Sequence, residues 1–396
     1  MQNHEERLVY TEGDLVKVRE EYNSIISELV KSIAHTQKAF VVETNDSEGY
    51  IYIDNVKKTI PANSIKAFRF NNVFKSGTDP NIGIASFRFL ITDTSAVTTM
   101  NSMFSNCSSL TSIDLSNFDN SAVKDMRNMF SNCSSLTSIN LSNFDTLAVN
   151  DMGYMFSNCS SLTSIDLSNF NTSAVTNMKN MFSICSSLTS INLSNFDNSA
   201  VKDMGYMFEY CSSLTSIDLS NFNTSAVTNM NSMFSNCSSL TSIDLSNFNT
   251  SAVTNMSGMF LNCSSLTSID LSNFDTSAVT YMRNMFSNCS SLTSINLSNF
   301  DTSAVNDMGY MFNGCSSLTS LLLGPNFFKT SAVTSIDFSY CSKWTNETVV
   351  TSLVTNSYDR ASAGINTLTL KLHANTKAAL TDEQKATITN KGYTIA

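Results

Sequence analysis

The chain has 396 residues, of which 14% are charged, and its net charge is −10 at neutral pH. Nucleic acids and anionic membranes are bound through basic patches, so this charge disfavours both as partners. No run approaches eighteen consecutive apolar residues, and we expect no membrane insertion. The N-terminal sequence MQNHEERL is acidic where a signal peptide would be basic and then apolar, so no signal peptide is expected in this chain.

Residues 1–79 are expected to form an N-terminal head for attachment or oligomerisation, because their composition differs from that of the rest of the chain. Residues 12–38 place apolar side chains at spacings of mostly three and four, which predicts a helix. About three heptads would suffice for a trimeric coiled-coil stalk. A single amphipathic helix packed on the sheet that follows is the alternative.

Beyond this helix the head sequence predicts a small sheet, so the head as a whole is α+β. Residues 39–44 and 50–54 flank the turn sequence NDSEG and predict a hairpin. Residues 64–71, which contain alternating phenylalanines, predict another strand.

A degenerate first turn is expected ahead of the repeats. Phe87 and Phe89 occupy the slots that Ile113 and Leu115 fill 26 residues later, whereas Asn81 stands where a cysteine would be. Such an atypical copy is typical of the capping turn of a repeat array.

The central part of the chain is a repeat. Ten cysteines follow one another every 26 residues, from Cys107 to Cys341, and eighteen of the nineteen methionines form nine Met-x-x-Met pairs with the same period. A fixed period of this length is typical of a solenoid, in which each turn buries its apolar residues against its neighbours. We therefore expect about ten 26-residue turns over residues 80–341.

Each repeat reads as a strand, a loop and a helix. Ile113 and Leu115 alternate with polar residues, which is typical of a strand with one buried face. The second half of the turn has apolar residues at helical spacing, namely Val123, Met126, Met129, Phe130 and Cys133. The sequence therefore predicts about two turns of helix in this half.

The motif L-x-x-I-x-L-x-x-F, which begins at Leu110, resembles the leucine-rich-repeat core, with phenylalanine in place of the usual asparagine. The segment M-F-x-x-C-x-x-L, which begins at Met129, narrows the resemblance to the BspA-like branch of bacterial surface proteins. The resemblance covers roughly residues 80–341. It implies a curved α/β solenoid with parallel strands on the concave side and helices on the convex side, and a non-enzymatic role in binding and adhesion.

Residues 342–396 are expected to form an α/β cap at the C-terminal end. The sequence predicts a helix over 346–354, a strand over 367–372, a helix over 381–389 and a last short strand. The three leucines of the strand over 367–372 would extend the concave sheet and cover its edge.

The cysteines are expected to be buried free thiols. Stacked turns hold them in one register with their side chains pointing the same way, whereas a disulfide needs Cβ atoms directed at one another. The chain has no C-x-x-C pair and only three histidines, so we expect no metal site and no cofactor.

The candidate ligand-binding site is the row of polar residues on the outward side of the strands. Because neighbouring strands lie about 4.8 Å apart, these side chains would form a close row. Acids, amides and hydroxyls on an extended face suit a carbohydrate or a polar peptide. The residues are Asp114, Asn140, Asp166, Asn192, Asp218, Asp244, Asp270 and Asn296.

The repeats admit two other interpretations. The spacing of Asp218, Asp244 and Asp270 approaches that of a retaining glycosidase pair, but their near-identical surroundings provide no distinct acid, so we expect no catalytic residue and no enzyme. Variation between copies is concentrated in the second half of the turn, for example Asn128 against Tyr154. This variation reflects either a contribution to binding or drift at solvated positions.

The sequence thus predicts a recognition protein that binds a bacterial or host cell-surface protein or glycan. Residues 380–395 resemble caps of repeat proteins from bacteriophages and prophages, which favours a phage tail or fibre component that recognises its host. Such a virion protein would either form a homotrimer through residues 12–38 or dock onto other virion proteins through its head. A BspA-like adhesin on a bacterial surface and a passive structural spacer are the alternatives.

Overall fold

The computed structural model describes the chain from residue 39 onward, with gaps. It gives the backbone of six strands between residues 39 and 92, and then residues 97–396 except 109, 116–118, 345–346 and 348–349. The predicted helix over residues 12–38, and with it the stalk and its packed-helix alternative, lies outside the described residues. Asn81 lies outside them too.

The strands of the head form two antiparallel sheets: β1 (Ala39–Thr44), β2 (Gly49–Ile53), β3 (Val56–Ile60), β4 (Ile65–Arg69), β5 (Phe74–Gly77) and β6 (Ser86–Thr92). Strand β1 lies between β4 and β6, and β2 lies between β3 and β5. The predicted strand over 64–71 is confirmed as β4. The predicted hairpin is wrong, because its two strands belong to different sheets and β2 pairs instead with β3, from which only Asp54 and Asn55 separate it. A two-residue connection of this kind joins antiparallel strands directly.

Strand β6 connects the head to the repeats. It is antiparallel to β1 on one side and parallel to β7 (Ser112–Asp114) on the other. Phe87 lies opposite Ile113, which confirms their predicted equivalence. The 26-residue register therefore begins in β6.

The repeats stack as a parallel β-solenoid of about nine turns. Ser164 lies opposite Ser190, one period later, and Ser294 lies opposite Ser320 in the same way. The remaining strands are β8 (Ser164–Asp166), β9 (Ser190–Asn192), β10 (Ser294–Leu297) and β11 (Ser320–Leu323). We call β7 to β11 and the equivalent residues of the other turns the strand face.

The second half of each turn contains no helix in the described part of the array, so the predicted helices are wrong. Alternate N–H groups leave the turn: those of Met126, Asn128 and Phe130 donate to carbonyls of the next turn at 2.8–3.0 Å. The groups between them donate within the turn: Arg127 N–H to the Asp125 carboxylate at 2.9 Å, and Met129 N–H to the Met126 carbonyl at 3.3 Å. An α-helix would direct all of them to the fourth residue back along one axis. We call residues 124–133 and their equivalents the turn face.

The helical spacing of the apolar residues comes from consecutive tight turns. Asn128 and Asn132 lie four positions apart and both have positive φ, of 54° and 63°. A run of turns with this spacing directs every third or fourth side chain inward, as a helix also does. Asparagine tolerates the left-handed conformation better than most residues, so these asparagines are the signal that distinguishes the two structures.

A column of stacked phenylalanines runs through the core. Ten rings, from Phe104 to Phe338, stack with centroid separations of 5.3–6.0 Å. From Cys133 to Cys315, each thiol donates to the carbonyl of the phenylalanine 29 residues earlier at 3.1–3.3 Å. All ten cysteines are free and buried, which confirms the predicted thiols.

The C-terminal cap combines a small parallel sheet with two helices. Two predicted elements are confirmed to within one residue, the strand over 367–372 and the helix over 381–389. The helix begins with a capping box formed by Thr381 and Gln384. In chain order the elements are β12 (Ser335–Phe338), a π-helical segment (Val350–Thr355), β13 (Leu368–Leu372), α1 (Ala374–Ala379), α2 (Asp382–Asn390) and β14 (Tyr393–Ile395).

The sequence predicts that strand β13 extends the strand face. This prediction is wrong. The strand pairs in parallel with β12, which occupies the turn-face half of the last repeat, and Thr369 N–H donates to the Thr334 carbonyl at 2.8 Å. Residues 335–338 alternate polar and apolar side chains, so the last turn is extended enough to accept a neighbouring strand. Strand β11 is contacted instead by the π-helical segment, which replaces much of the predicted helix over 346–354.

Arg360 attaches the cap to the end of the array. Its side chain is fully buried, and its guanidinium donates to the carbonyls of Phe328, Thr330 and Asn366. These carbonyls replace the water that the charge loses on burial. Burial nevertheless lowers the pKa of Arg360.

We predict that the phenylalanine column dominates the stability of the array. Phe208 is fully buried between the rings of Phe182 and Phe234, so Phe208→Ala should lower the free energy of unfolding by about 3–5 kcal/mol. Leu147 is 60% exposed, and Leu147→Ala should change it by less than about 0.5 kcal/mol. Urea unfolding followed by circular dichroism measures both, and equal effects would contradict this packing.

Candidate functional site

The predicted ligand-binding residues lie together on the strand face. The side chains of Asn140, Asp166, Asn192, Asp218, Asp244, Asp270 and Asn296 are all exposed. Asp114 lies at the end of β7, and its side chain is outside the described residues. In register, Asp166 lies opposite Asn192, whereas Asn296 lies opposite Leu322, where the polar row ends.

Each of these seven side chains also shapes its own turn. One side-chain oxygen accepts a hydrogen bond from the N–H of the serine two residues later, at 2.9–3.1 Å in every case. This is an Asx turn, which needs one acceptor oxygen and no charge. Aspartate and asparagine can therefore replace each other along the row without disturbing the backbone.

The strand-face carboxylates are fully charged at neutral pH. Hydrogen bonds from Ser220 lower the pKa of Asp218, and hydrogen bonds from Ser246 and Ser272 lower the pKa of Asp244 and of Asp270 in the same way. Repulsion from the carboxylate one turn earlier opposes the shift in the last two but does not reverse it. Asp218, Asp244 and Asp270 therefore form a continuous stretch of fixed negative charge within the row.

The cysteines do not provide a nucleophile. Burial raises the pKa of the Cys185 thiol to about 12 and raises the pKa of Cys211 and Cys237 as well. A reactive cysteine needs a lowered pKa and access to solvent. Among the residues that the structure describes, no three His, Cys, Asp or Glu side chains are grouped so that they could hold a metal ion.

The turn face carries a second row of polar side chains, which the sequence did not reveal. Two positions in each turn have positive φ, and asparagine dominates the second of them. Where asparagines stack, the amide of one donates to the carbonyl oxygen of the asparagine one turn earlier, as from Asn158 to Asn132 at 3.0 Å and from Asn288 to Asn262 at 2.8 Å. We call this second position, occupied by Asn106 in the first complete turn, the amide row.

Two neighbouring turns interrupt the amide row. Ile184 and Tyr210 stand where most other turns have asparagine; the last two turns have Gly314 and Tyr340 at this position. Both have positive φ, of 63° and 58°, and both side chains are exposed, 41% and 47%. The left-handed conformation costs roughly 1–2 kcal/mol for such residues, and for a β-branched residue such as Ile184 it is a genuine outlier.

Glu209 lies in the same interruption, at a position where most turns have serine. Its carboxylate accepts a hydrogen bond from the buried Ser183 hydroxyl at 3.2 Å. Half-burial raises the pKa of Glu209, and the hydrogen bond from Ser183 only partly offsets this. Alignment of the repeats would have found these three positions, but the sequence does not show that two of them have a left-handed backbone.

Other aromatic side chains on the turn face are associated with cations. The guanidinium of Arg283 lies 4.9 Å from the centre of the Tyr310 ring, and the amine of Lys179 lies 6.0 Å from that of Tyr206. Arg283 also forms an ion pair with Asp307 at 3.4 Å. The variation between copies that the sequence shows is therefore partly explained by local contacts within the turn face.

We predict that the strand-face aspartates titrate below the usual range. The pKa values of Asp218, Asp244 and Asp270 in the folded chain should lie below 3.8, their ordinary value. Because the folded-state pKa is lowered, the stability that these groups add is present above the unfolded-state pKa and is lost as the pH falls through the folded-state value. NMR titration of the carboxyl carbons measures each pKa, and a value above 3.8 would contradict the Asx-turn geometry.

No curated protein matches the chain. Among solved structures, a chain in "Crystal structure of TLR13-ssRNA13 complex" is similar over 63% of this chain and 41% of its own length, with 19% identity and a TM-score of 0.26. This chain thus spans less than half of that protein. No helix in the described residues is long and apolar enough to cross a membrane.

A family model described as "Mycoplasma protein of unknown function, DUF285" matches the chain four times in overlapping windows. The windows are residues 68–190, 137–243, 161–268 and 241–350. They support the resemblance to repeat-built surface proteins and give no support to a phage origin. Together they span well over half of the chain, which therefore belongs to the DUF285 family.

Proposed function

We propose that this protein is a non-enzymatic recognition protein that binds a cell-surface protein or glycan through its solenoid. The observation that carries the proposal is the polar row of the strand face. Its seven described side chains are exposed, lie one turn apart and are held in one orientation by identical Asx turns. A rigid row of this kind offers many equivalent contacts to an extended ligand.

The electrostatics of the row support binding rather than catalysis. A glycosidase of the usual two-carboxylate type needs one acid whose pKa is raised so that it can donate a proton near neutral pH. The pKa values of Asp166, Asp218, Asp244 and Asp270 are instead all lowered, chiefly by hydrogen bonds from neighbouring serines. These carboxylates can bind a polar or cationic group but cannot act as the general acid.

The family match favours an extracellular or cell-surface location, as in a bacterial surface adhesin of the BspA-like type. The phage tail or fibre assignment, with a virion location, a homotrimer and contacts to other virion proteins, is supported only by the resemblance of residues 380–395 to phage-protein caps. A passive spacer is the remaining candidate, and the uniformity of the repeats supports it.

The test is binding of the fluorescently labelled full chain to intact bacteria and to cultured animal cells. The triple substitution D218N/D244N/D270N removes charge but keeps the Asx turns, because Asn140, Asn192 and Asn296 already form them elsewhere. We expect saturable binding that this variant weakens at least tenfold.

The matched control is D197N/D275N/D301N, which makes the same change in charge at a different row of Asx turns. Binding of this control variant should equal that of the unmodified chain. Binding to bacteria alone supports host recognition or contact between bacteria, and binding to animal cells supports an adhesin. A folded chain that binds neither cell type would contradict the recognition proposal and leave the spacer.

A further inference from the structure

One place on the turn face departs from the repeat in a concerted way. Ile184, Glu209 and Tyr210 replace the small polar residues that most other turns have, and they lie in two adjacent turns. The backbone there keeps the common register, since Ile184 N–H donates to the Glu209 carbonyl at 2.7 Å and Tyr210 N–H donates to Ser235 at 2.8 Å. The stacking is therefore preserved while the surface is changed. We call these three residues the turn-face patch.

The patch keeps residues that the backbone disfavours. Asparagine is well tolerated at this left-handed position, and its side chain joins the amide row. Ile184 and Tyr210 are poorly tolerated there and cannot form the amide hydrogen bonds. Both instead place apolar surface in solvent. Strained residues that persist in an otherwise regular structure tend to mark functional sites.

The charge around the patch indicates the kind of partner. Glu209 forms no ion pair with any residue that the structure describes, and it directly precedes the exposed Tyr210 in the chain. Residues 97–341 contain sixteen acidic and six basic residues, so the whole net charge of the chain resides in this stretch. Both the local and the general charge complement a basic side chain.

A groove leads away from the patch along the following turns. It has a volume of about 550 Å³ and begins at Tyr210. Serine and asparagine side chains line the rest of it, among them Ser212, Asn236, Ser238 and Asn262. Hydroxyls and amides both donate and accept hydrogen bonds, so this lining suits the main chain of an extended peptide.

We propose that Ile184, Glu209 and Tyr210 form a protein-binding site for an extended peptide segment in which a basic residue lies next to an aromatic or aliphatic one. The apolar side chain of the partner packs against the exposed side chains of Ile184 and Tyr210, its cation pairs with Glu209, and its main chain continues along the groove. Tyrosine is among the residues that most often dominate binding interfaces. This inference rests on the proposed recognition function and gives it a specific partner chemistry.

The test is selection of a randomised twelve-residue peptide library on the immobilised full chain. The unmodified chain should enrich peptides that combine lysine or arginine with an aromatic or aliphatic residue. The variant I184N/Y210N restores the consensus amides between Asn158 and Asn236, so its midpoint of urea unfolding should not fall. Its affinity for the selected peptides, measured by fluorescence anisotropy, should be at least tenfold weaker.

Two further variants separate the contributions. E209Q removes the negative charge, so it should bind the selected peptides more weakly and should also lose the preference for basic residues. Y310N is the matched control, because it also replaces an exposed left-handed tyrosine of the turn face, four turns away. It should bind the selected peptides as the unmodified chain does.

Three results would overturn the inference. If I184N/Y210N and the unmodified chain bind the same peptides with equal affinity, the patch is not the binding site. If D218N/D244N/D270N then fails to bind these peptides, the recognition function remains and its site is the strand face. If no peptide is enriched, the inference fails, and binding to cells decides the proposed function independently. Self-association that I184N/Y210N abolishes would identify a second copy of the chain as the occupant instead.

Discussion

Hydrogen bonding between equivalent residues of successive turns is the interaction on which the structure depends. On the turn face every second N–H group donates to the next turn, and on the strand face parallel strands pair one period apart. A single turn would leave these groups without partners, and its ordering would cost more free energy than its burial supplies. Cooperation between neighbours therefore holds the array together.

This dependence divides the residues of a turn into two classes. Residues that face the neighbouring turn are nearly invariant, such as the stacked phenylalanines and the cysteines that donate to their carbonyls. Residues that face solvent are constrained only by their backbone conformation, so they can change without loss of stacking. The solvent-facing residues of the strand face vary little between turns. Those of the turn face vary more, most of all at Ile184, Glu209 and Tyr210.

The sequence predicts those features that follow from the period. The solenoid, the buried thiols and the outward Asp and Asn row could all be predicted, because burial at a 26-residue repeat fixes them. Most elements of the C-terminal cap could be predicted from their local apolar pattern. The absence of helices from the second half of each turn could not be predicted, because the inward spacing of Val123, Met126 and Phe130 is common to a helix and to a run of four-residue turns. The turn-face patch could not be predicted as a site, because its left-handed backbone appears only in the structure.

The most direct measurement is the stability of a chain from which one whole turn is removed, residues 212–237, compared with one that lacks only half a turn, residues 212–224. Removal of 26 residues joins Cys211 to Ser238 and preserves every inter-turn register. Hydrogen bonding between equivalent residues predicts that this chain unfolds cooperatively in urea with an unchanged circular dichroism spectrum per residue, and that the half-turn deletion unfolds at a much lower urea concentration. Equal stability of the two chains would contradict the conclusion that hydrogen bonding between equivalent residues of successive turns holds the array together.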